Sequence, residues 1–249
     1  MRKIIFIAFI LLFAGCDSDT GWDCIKTGGK MVEREIAVPN FNRILVWQQV
    51  KLFVKYGEDQ KVIVESGENL IRDIELTVVD GRLEISDKNS CNLLRDYGLT
   101  KVYVTSPNIT EIRNSSGLAV ESIGVLPYPR LNLLSEDYSP EDDYYSDGDF
   151  ILELEAEHLS ITANGLASFY LSGATDYANF GLYAGNCRIF AADLVVGNLN
   201  LYHRSSADMI VNPQQSIKGK IVGVGDVISK NRPPIVEVEE LYRGRLIFK

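Results

Sequence analysis

Leu159-Ser-Ile161, Phe180-Gly-Leu182, Leu199-Asn-Leu201 and a degenerate copy, Gly219-Lys-Ile221, set the rhythm of this chain: the first members of these pairs are spaced by 21, 19 and 20 residues. A second motif keeps step between them. Gly165-Leu-Ala-Ser168-Phe169 aligns with Gly185-Asn-Cys-Arg188-Ile189, with Ser205-Ser-Ala-Asp208-Met209 and with Gly223-Val-Gly-Asp226-Val227. A fixed period of this length marks stacked repeats. Apolar residues one position apart share a face of an extended strand, so each unit has one face to bury. The Gly, Asn, Ser and Asp residues between the apolar positions suit tight corners. A unit this small buries its stripe only when the next unit stacks on it, strand over strand, at about 4.8 Å. No part of the repeat long enough for a helix carries a 3.6-residue period. The expectation is an all-β fold, a parallel β-helix with about 20 residues per turn.

Upstream the same alternation continues. Val50, Leu52, Val54 and Tyr56 alternate with Lys51, Phe53 and Lys55, followed by Val62/Val64, Ile74/Leu76/Val78 and Leu83/Ile85. Asp80-Gly81 between two alternating runs is a tight-turn signal and predicts a local antiparallel hairpin, an irregularity in an otherwise parallel coil. Ser115-Ser-Gly-Leu118-Ala119 reads as a further copy of the small-residue cluster, separated from its counterpart at Ser168 by an insert. Residues 127–149 hold seven carboxylates, four tyrosines and three prolines against one arginine, and read as a loop projecting from one rung.

The first residues answer a different question. Met1-Arg2-Lys3 is a short basic start, Ile4 to Ala14 is an apolar run of eleven residues, and Gly15-Cys16 follows. Eleven is too few to span a bilayer as a helix, and the pattern is that of a signal peptide. Leu12-Phe13-Ala14-Gly15-Cys16 resembles the lipobox of bacterial lipoproteins, in which the cysteine is acylated and becomes the new N-terminus; Phe13 departs from the aliphatic residue usual there. The resemblance implies a lipid on Cys16, a membrane partner for that lipid, and the envelope of a Gram-negative bacterium, with the outer membrane preferred. Residues 16–33 then form a tether, opening on the acidic run Asp17-Ser18-Asp19. An acidic stretch behind the lipidated cysteine is similar to a surface-export signal in some lineages, and an aspartate at the second position resembles an inner-membrane retention signal in others. Both remain open.

Composition fits one globular domain over residues 34–249, with 46% hydrophobic and 24% charged residues. Removing the signal takes away Arg2 and Lys3, so the formal charge of −9 becomes −11, and nucleic acid is excluded as an expected partner. Beyond Cys16, the cysteines are Cys24, Cys91 and Cys187, an odd number. A Cys24 to Cys91 bridge and three free thiols are equally compatible with it, and Cys187 sits at a packing position of its repeat.

These residues also support a family resemblance. Arg34-Glu-Ile-Ala-Val-Pro-Asn-Phe41-Asn-Arg-Ile44, Val79-Asp80-Gly81-Arg-Leu83-Glu-Ile85 and Ile217-Lys-Gly219-Lys-Ile-Val-Gly223-Val-Gly225-Asp226-Val227 resemble the head GIN domain family, whose members are described as auto-transporter adhesins of the cell envelope. The resemblance extends over about residues 34–249. It implies a right-handed parallel β-helix, and its glycine-and-strand motifs carry no information on chemistry. Lys220 and Ser205 stand where the family more often has glycine or a small residue, and the acidic insert is unusual for it.

Candidate sites are few. The alignment stacks Arg188, Asp208 and Asp226 on successive rungs about 5 Å apart, the one arrangement with the carboxylate and cation chemistry of a polysaccharide lyase or hydrolase. The same residues at corners also make an ion and hydrogen-bond ladder of purely structural meaning, which is the expected reading. His158 and His203 are not spaced as a metal pair, no phosphate loop or nucleophile elbow is present, and no cofactor is expected. In the insert, Tyr138, Asp142, Asp143, Tyr144 and Tyr145 form the tentative binding surface, because tyrosine gives large contact area at small entropic cost. Its carboxylates could also feed calcium, but without the twelve-residue spacing of a calcium loop. Three roles follow: a non-enzymatic envelope lipoprotein that contacts glycan or protein through a long sheet face, a carbohydrate-active enzyme, or a structural or regulatory envelope component. The first is preferred.

Overall fold

The computed structural model describes residues 26–47, 49–89, 98–137 and 144–249. Among them the only helical element is a 3-10 turn at Ile71–Asp73. In chain order the strands are β1 (Met31–Glu35), β2 (Arg43–Val46), β3 (Val50–Tyr56), β4 (Lys61–Gly67), β5 (Ile74–Val79) and β6 (Arg82–Asp87). Next come β7 (Thr100–Ser106), β8 (Glu111–Asn114), β9 (Val120–Leu126), β10 (Arg130–Ser135), β11 (Phe150–Ala163), β12 (Ser168–Leu182) and β13 (Arg188–His203). The chain closes with β14 (Met209–Val211), β15 (Pro213–Ile221), β16 (Val227–Ser229), β17 (Ile235–Glu240) and β18 (Leu246–Phe248). All belong to one mixed sheet that curls on itself.

From β8 onward every pairing is parallel, and each unit lies on the one before. The alternation of the sequence becomes columns of side chains. One inward column runs Val102, Leu52, Val120, Phe150, Phe169, Ile189, Met209, Val227 and Leu246. A second runs Leu83, Ile44, Ile112, Leu133, Ile161, Phe180, Leu201, Gly219 and Val238. Nearly all of these residues are fully buried, and Phe150 and Phe169 stack face to face at 4.9 Å. Burial of two such rings and their aliphatic neighbours is the main stabilising term, at about 25 cal/mol per Å² of apolar surface removed from water.

The sheet is mixed and curled, not the uniformly parallel coil expected from the repeat. β4 pairs antiparallel with both β1 and β7, and β5 pairs antiparallel with β6. The β5–β6 hairpin is the one read from Asp80-Gly81, where φ is 48° and 75°, the left-handed pair that a tight hairpin turn requires. The order of stacking also departs from the order of the chain. β3 lies between β7 and β9, and β2 between β6 and β8, so residues 43–56 are sandwiched between later segments. The hairpin is the physical reason: it turns the chain back over β2 before the regular units begin below it.

Two expectations are corrected in the repeat itself. The motif ending in Phe169, Ile189, Met209 and Val227 aligns as read, but the paired motif slips by two residues: Ile161 lies against Phe180, and Phe180 against Leu201. A slip of two keeps every side chain on its own face, so the sequence pattern survives it. Gly219 is also no decayed copy. Its φ of 129° lies in the left-handed region, and a Cβ there would overlap the Leu201 carbonyl oxygen of the preceding rung. Finally, residues 127–149 are not one loop. β10 runs through them with Leu131 and Leu133 buried, paired to β8 and β11.

Gly219→Ala is therefore expected to lower stability by about 1–3 kcal/mol, the scale of one strained backbone position, read as a lower urea midpoint at unchanged slope.

Candidate functional site

The corner before the first ladder, the stack of strands whose inward column includes Phe169, Ile189 and Met209, is where Arg188, Asp208 and Asp226 fall. The structure does stack them, each one residue ahead of the paired Ile189, Met209 and Val227. Their chemistry is spent on the backbone. Asp208 Oδ1 accepts from the Asp226 amide at 2.9 Å, and Asp226 Oδ1 accepts from the Arg245 amide at 2.8 Å. Asp149, three rungs before Asp208 in the column, does the same, accepting from the Ser168 amide at 2.7 Å. Each carboxylate thus caps the start of the next rung, satisfying a donor that a corner leaves without a strand partner. Arg188 makes no ion pair among the described residues. No group of three or more His, Cys, Asp or Glu residues there is placed to hold a metal ion.

Beneath this ladder lies His203, fully buried in the inward column between Leu182 and Ile221. Neither ring nitrogen completes a hydrogen bond within the described chain. Burial holds its pKa below the ordinary histidine value, and the Gly225 and Ala207 backbone and the Asp208 and Asp226 carboxylates only partly oppose it. The other histidine, His158, is on the outer face, stacked on Tyr177 at 5.2 Å. Cys187 is buried as well; burial pushes its thiol up to about 11, and its carbonyl accepts from the Ser205 hydroxyl at 2.7 Å. That bond gives Ser205 a reason to stand at a small-residue position.

Of the tentative binding surface in the insert, Tyr138, Asp142 and Asp143 lie outside the described residues, as do Cys16, Cys24 and Cys91. The two ends of that segment are fixed. Arg113 pairs with Glu136 at 2.7 Å and covers the Tyr144 ring at 4.5 Å, while Trp47 stacks on Tyr144 at 5.2 Å. Asn164 exchanges hydrogen bonds with the Asp137 backbone, each of 3.0 Å. Tyr144 is thus a packing residue at the root of the insert. Tyr145 is half exposed, its amide donating to Ser115 Oγ at 2.7 Å.

A larger feature was passed over in the sequence reading. On the outer face of the first ladder, one column carries Tyr103, Phe53, Glu121, Ile151, Tyr170, Phe190, Ile210, Ile228 and Ile247. Ile151 and Tyr170 are 44% and 43% exposed, far above what the interior columns allow. Tyr170 and Phe190 stack at 4.9 Å with planes 12° apart, and Phe53 and Tyr103 stack in the same way. A shallow groove of about 420 Å³ follows the column, bordered by Ile151, Tyr170, Phe190 and Ile210 with Ser122 and Asp193 at its rim. No helix among the described residues is long and apolar enough to cross a membrane.

The family model described as "Putative auto-transporter adhesin, head GIN domain" matches residues 40–233. The chain belongs to the head GIN domain family. No protein of curated function matches this head GIN chain. Solved structures that share its fold include three from two bacterial species. A protein described as a putative adhesin from Bacteroides fragilis superposes with a TM-score of 0.78 at 19% identity, covering 90% of this chain and 100% of its own. One with the same description from Parabacteroides distasonis gives 0.67 at 18% identity, covering 90% and 99%. A third, from the same species and described as a putative lipid binding protein, gives 0.60 at 19% identity, covering 89% and 100%.

The position of His203 in this head GIN domain has a measurable consequence. Its pKa is depressed in the folded chain, so the unfolded chain binds the extra proton first; its contribution to stability is complete above the ordinary value of about 6.5 and is lost as pH falls below it. Thermal unfolding between pH 7.5 and 5 is expected to show a falling Tm, and His203→Leu to flatten that fall.

Proposed function

We propose that this head GIN domain is a non-enzymatic binding module of the cell envelope, held to the outer membrane by a lipid on Cys16 and built as a right-handed parallel β-helix with an antiparallel cap. Its working surface is the flat outer face of the first ladder, and its partner is a protein surface. One observation carries the reading: on every rung of the outer column except that of Glu121 a large apolar side chain faces outward, half-buried or, at Ile151 and Tyr170, exposed. A soluble coil needs apolar residues only inside, and a contiguous exposed apolar strip marks an interaction site. The rings of Tyr170 and Phe190 stack on each other, and their rung neighbours are Ile151 and Ile210. They offer edges in a flat strip, which fits a protein surface better than a sugar ring that needs an open aromatic face.

Other features support the same reading. The carboxylates that a glycosidase would need are engaged in capping the backbone. The family description and the described adhesins that share the fold agree with a binding role. The lipid-binding description of a third relative points to an apolar ligand. Here the inward columns are filled with side chains, so a lipid would have to use the same outer strip.

The test uses the soluble chain from Ile25 onward, presented to immobilised collagen, fibronectin and mucin and to neutral phospholipid vesicles. Saturable binding to a protein, reduced about tenfold or more by Tyr170→Asp with Phe190→Asp, is the expected result for a site whose central anchors are removed. Binding to vesicles alone, or binding to protein that the double substitution leaves intact, would refute the proposal.

A further inference from the structure

The outer face of the second ladder, the stack whose inward column includes Ile161, Phe180 and Leu201, carries a different chemistry. There β11, β12, β13 and β15 bring His158, Tyr177, Asn198 and Ser216 into one outward column and Ser160, Asn179, Asn200 and Lys218 into the next. Most of these side chains border a groove of about 430 Å³. We propose that this groove is a binding site for a neutral saccharide chain, with Tyr177 as its platform and Asn179, Asn198 and Asn200 as its hydrogen-bonding groups. The site is separate from the apolar strip and does not depend on it.

Three observations lead there. The first is the hydrogen-bond account. Asn200 Nδ2 donates to Asn179 Oδ1 at 3.3 Å, and Asn198 Oδ1 accepts from Ser216 Oγ at 2.8 Å. These bonds fix the amide planes and leave the amino groups of Asn179 and Asn198 and the carbonyl of Asn200 without partners among the described residues. A surface that offers fixed donors and acceptors side by side suits a ligand whose every group is both, and a sugar hydroxyl is such a group. The second is charge. No carboxylate lines the groove, and its one cation, Lys218, lies 2.9 Å from Glu237. In a chain of formal charge −9 this is a neutral patch, with nothing left over to hold an anion or a cation.

The third is the ring. Tyr177 is 51% exposed, and His158 stacks on one side of it with planes 17° apart. On the other side its rung partner is Asn198, a side chain too short to cover it. Tyr170, by contrast, has Phe190 in that place. Tyr177 thus keeps apolar area for the C–H face of a sugar, held rigid by the histidine. The amides recur from rung to rung at about 4.8 Å, close to the length of one sugar ring, so the groove fits an extended chain lying along the stack.

The experiment is calorimetric titration of the soluble chain from Ile25 onward with cellohexaose, chitohexaose, laminarihexaose and mannohexaose, and with heparin and polygalacturonate as anionic comparators. At least one neutral oligosaccharide is expected to bind and neither polyanion to compete. Tyr177→Ala, and separately Asn179→Ala with Asn200→Ala, are expected to weaken that binding about tenfold or more, while Tyr177→Phe retains most of it. Unfolding midpoints of all variants within the range of the parent chain show that the fold is intact. Tyr170→Asp with Phe190→Asp is expected to leave saccharide binding unchanged, so failure of the protein-facing strip and failure of this site are read independently. Absence of binding by all four neutral probes, binding that survives both sets of groove substitutions, or binding of the polyanions alone would overturn the proposal.

Discussion

The parallel backbone ladder between rungs governs everything else in this domain. Once the amides and carbonyls of one rung pair with those of the next, each residue is held about 4.8 Å above its counterpart, and every property of a position becomes a property of a column. Apolar positions become continuous interior stacks, as from Val120 through Phe150, Phe169 and Ile189. Aspartates at corners become a chain of caps, each accepting the amide below it. Amides become a ladder in which Asn200 donates to Asn179. The same constraint makes exceptions informative. Gly219 is required where two rungs approach too closely for a Cβ, and His203 is an imidazole held between the aliphatic Leu182 and Ile221.

Much of this was legible before any coordinates, because the repeat and the alternation are written in residue types. The corner clusters ending in Phe169, Ile189, Met209 and Val227 aligned correctly, since each opens on a Gly or Ser four residues before its buried residue and so marks a turn that has few alternatives. The hairpin at Asp80-Gly81 was readable for the same reason. Register within the strands was harder: a shift of two residues preserves the face, so Leu159 with Ile161 and Phe180 with Leu182 looked equivalent although the ladder offsets them. β10 was hidden by its surroundings. Leu131 and Leu133 alternate properly, but the density of proline and acid around them argued for a loop.

The outer column was legible too, in a form that alternation obscures. Phe169-Tyr170, Ile189-Phe190, Met209-Ile210, Val227-Ile228 and Leu246-Ile247 are apolar doublets at successive rungs, and a doublet in a strand means that both faces are apolar. What no residue pattern could supply is the account of used and unused hydrogen bonds at Asn179, Asn198 and Asn200, which depends on side-chain geometry across three rungs. The ends of the stack are treated unequally. β1, β4 and β5 cover one end with antiparallel strands. At the other, β17 has no strand partner beyond β15 among the described residues and carries Glu237, Glu239 and Glu240, charges that discourage a second sheet edge from adding to it.

The sandwiching of β2 and β3 between later strands bears on how the molecule comes into being. The regular units can be added one after another, each finding a finished neighbour. β3 cannot be completed in this way, because one side of it waits for Thr100–Ser106 and the other for Val120–Leu126. During synthesis the oldest part of the domain therefore stays open until residues well downstream have appeared, and the contacts it finally makes are long-range ones, which form slowly. The stack thus has a clasp near its beginning that closes late. Once closed, β2 and β3 are trapped between strands that are themselves tied into the growing sheet.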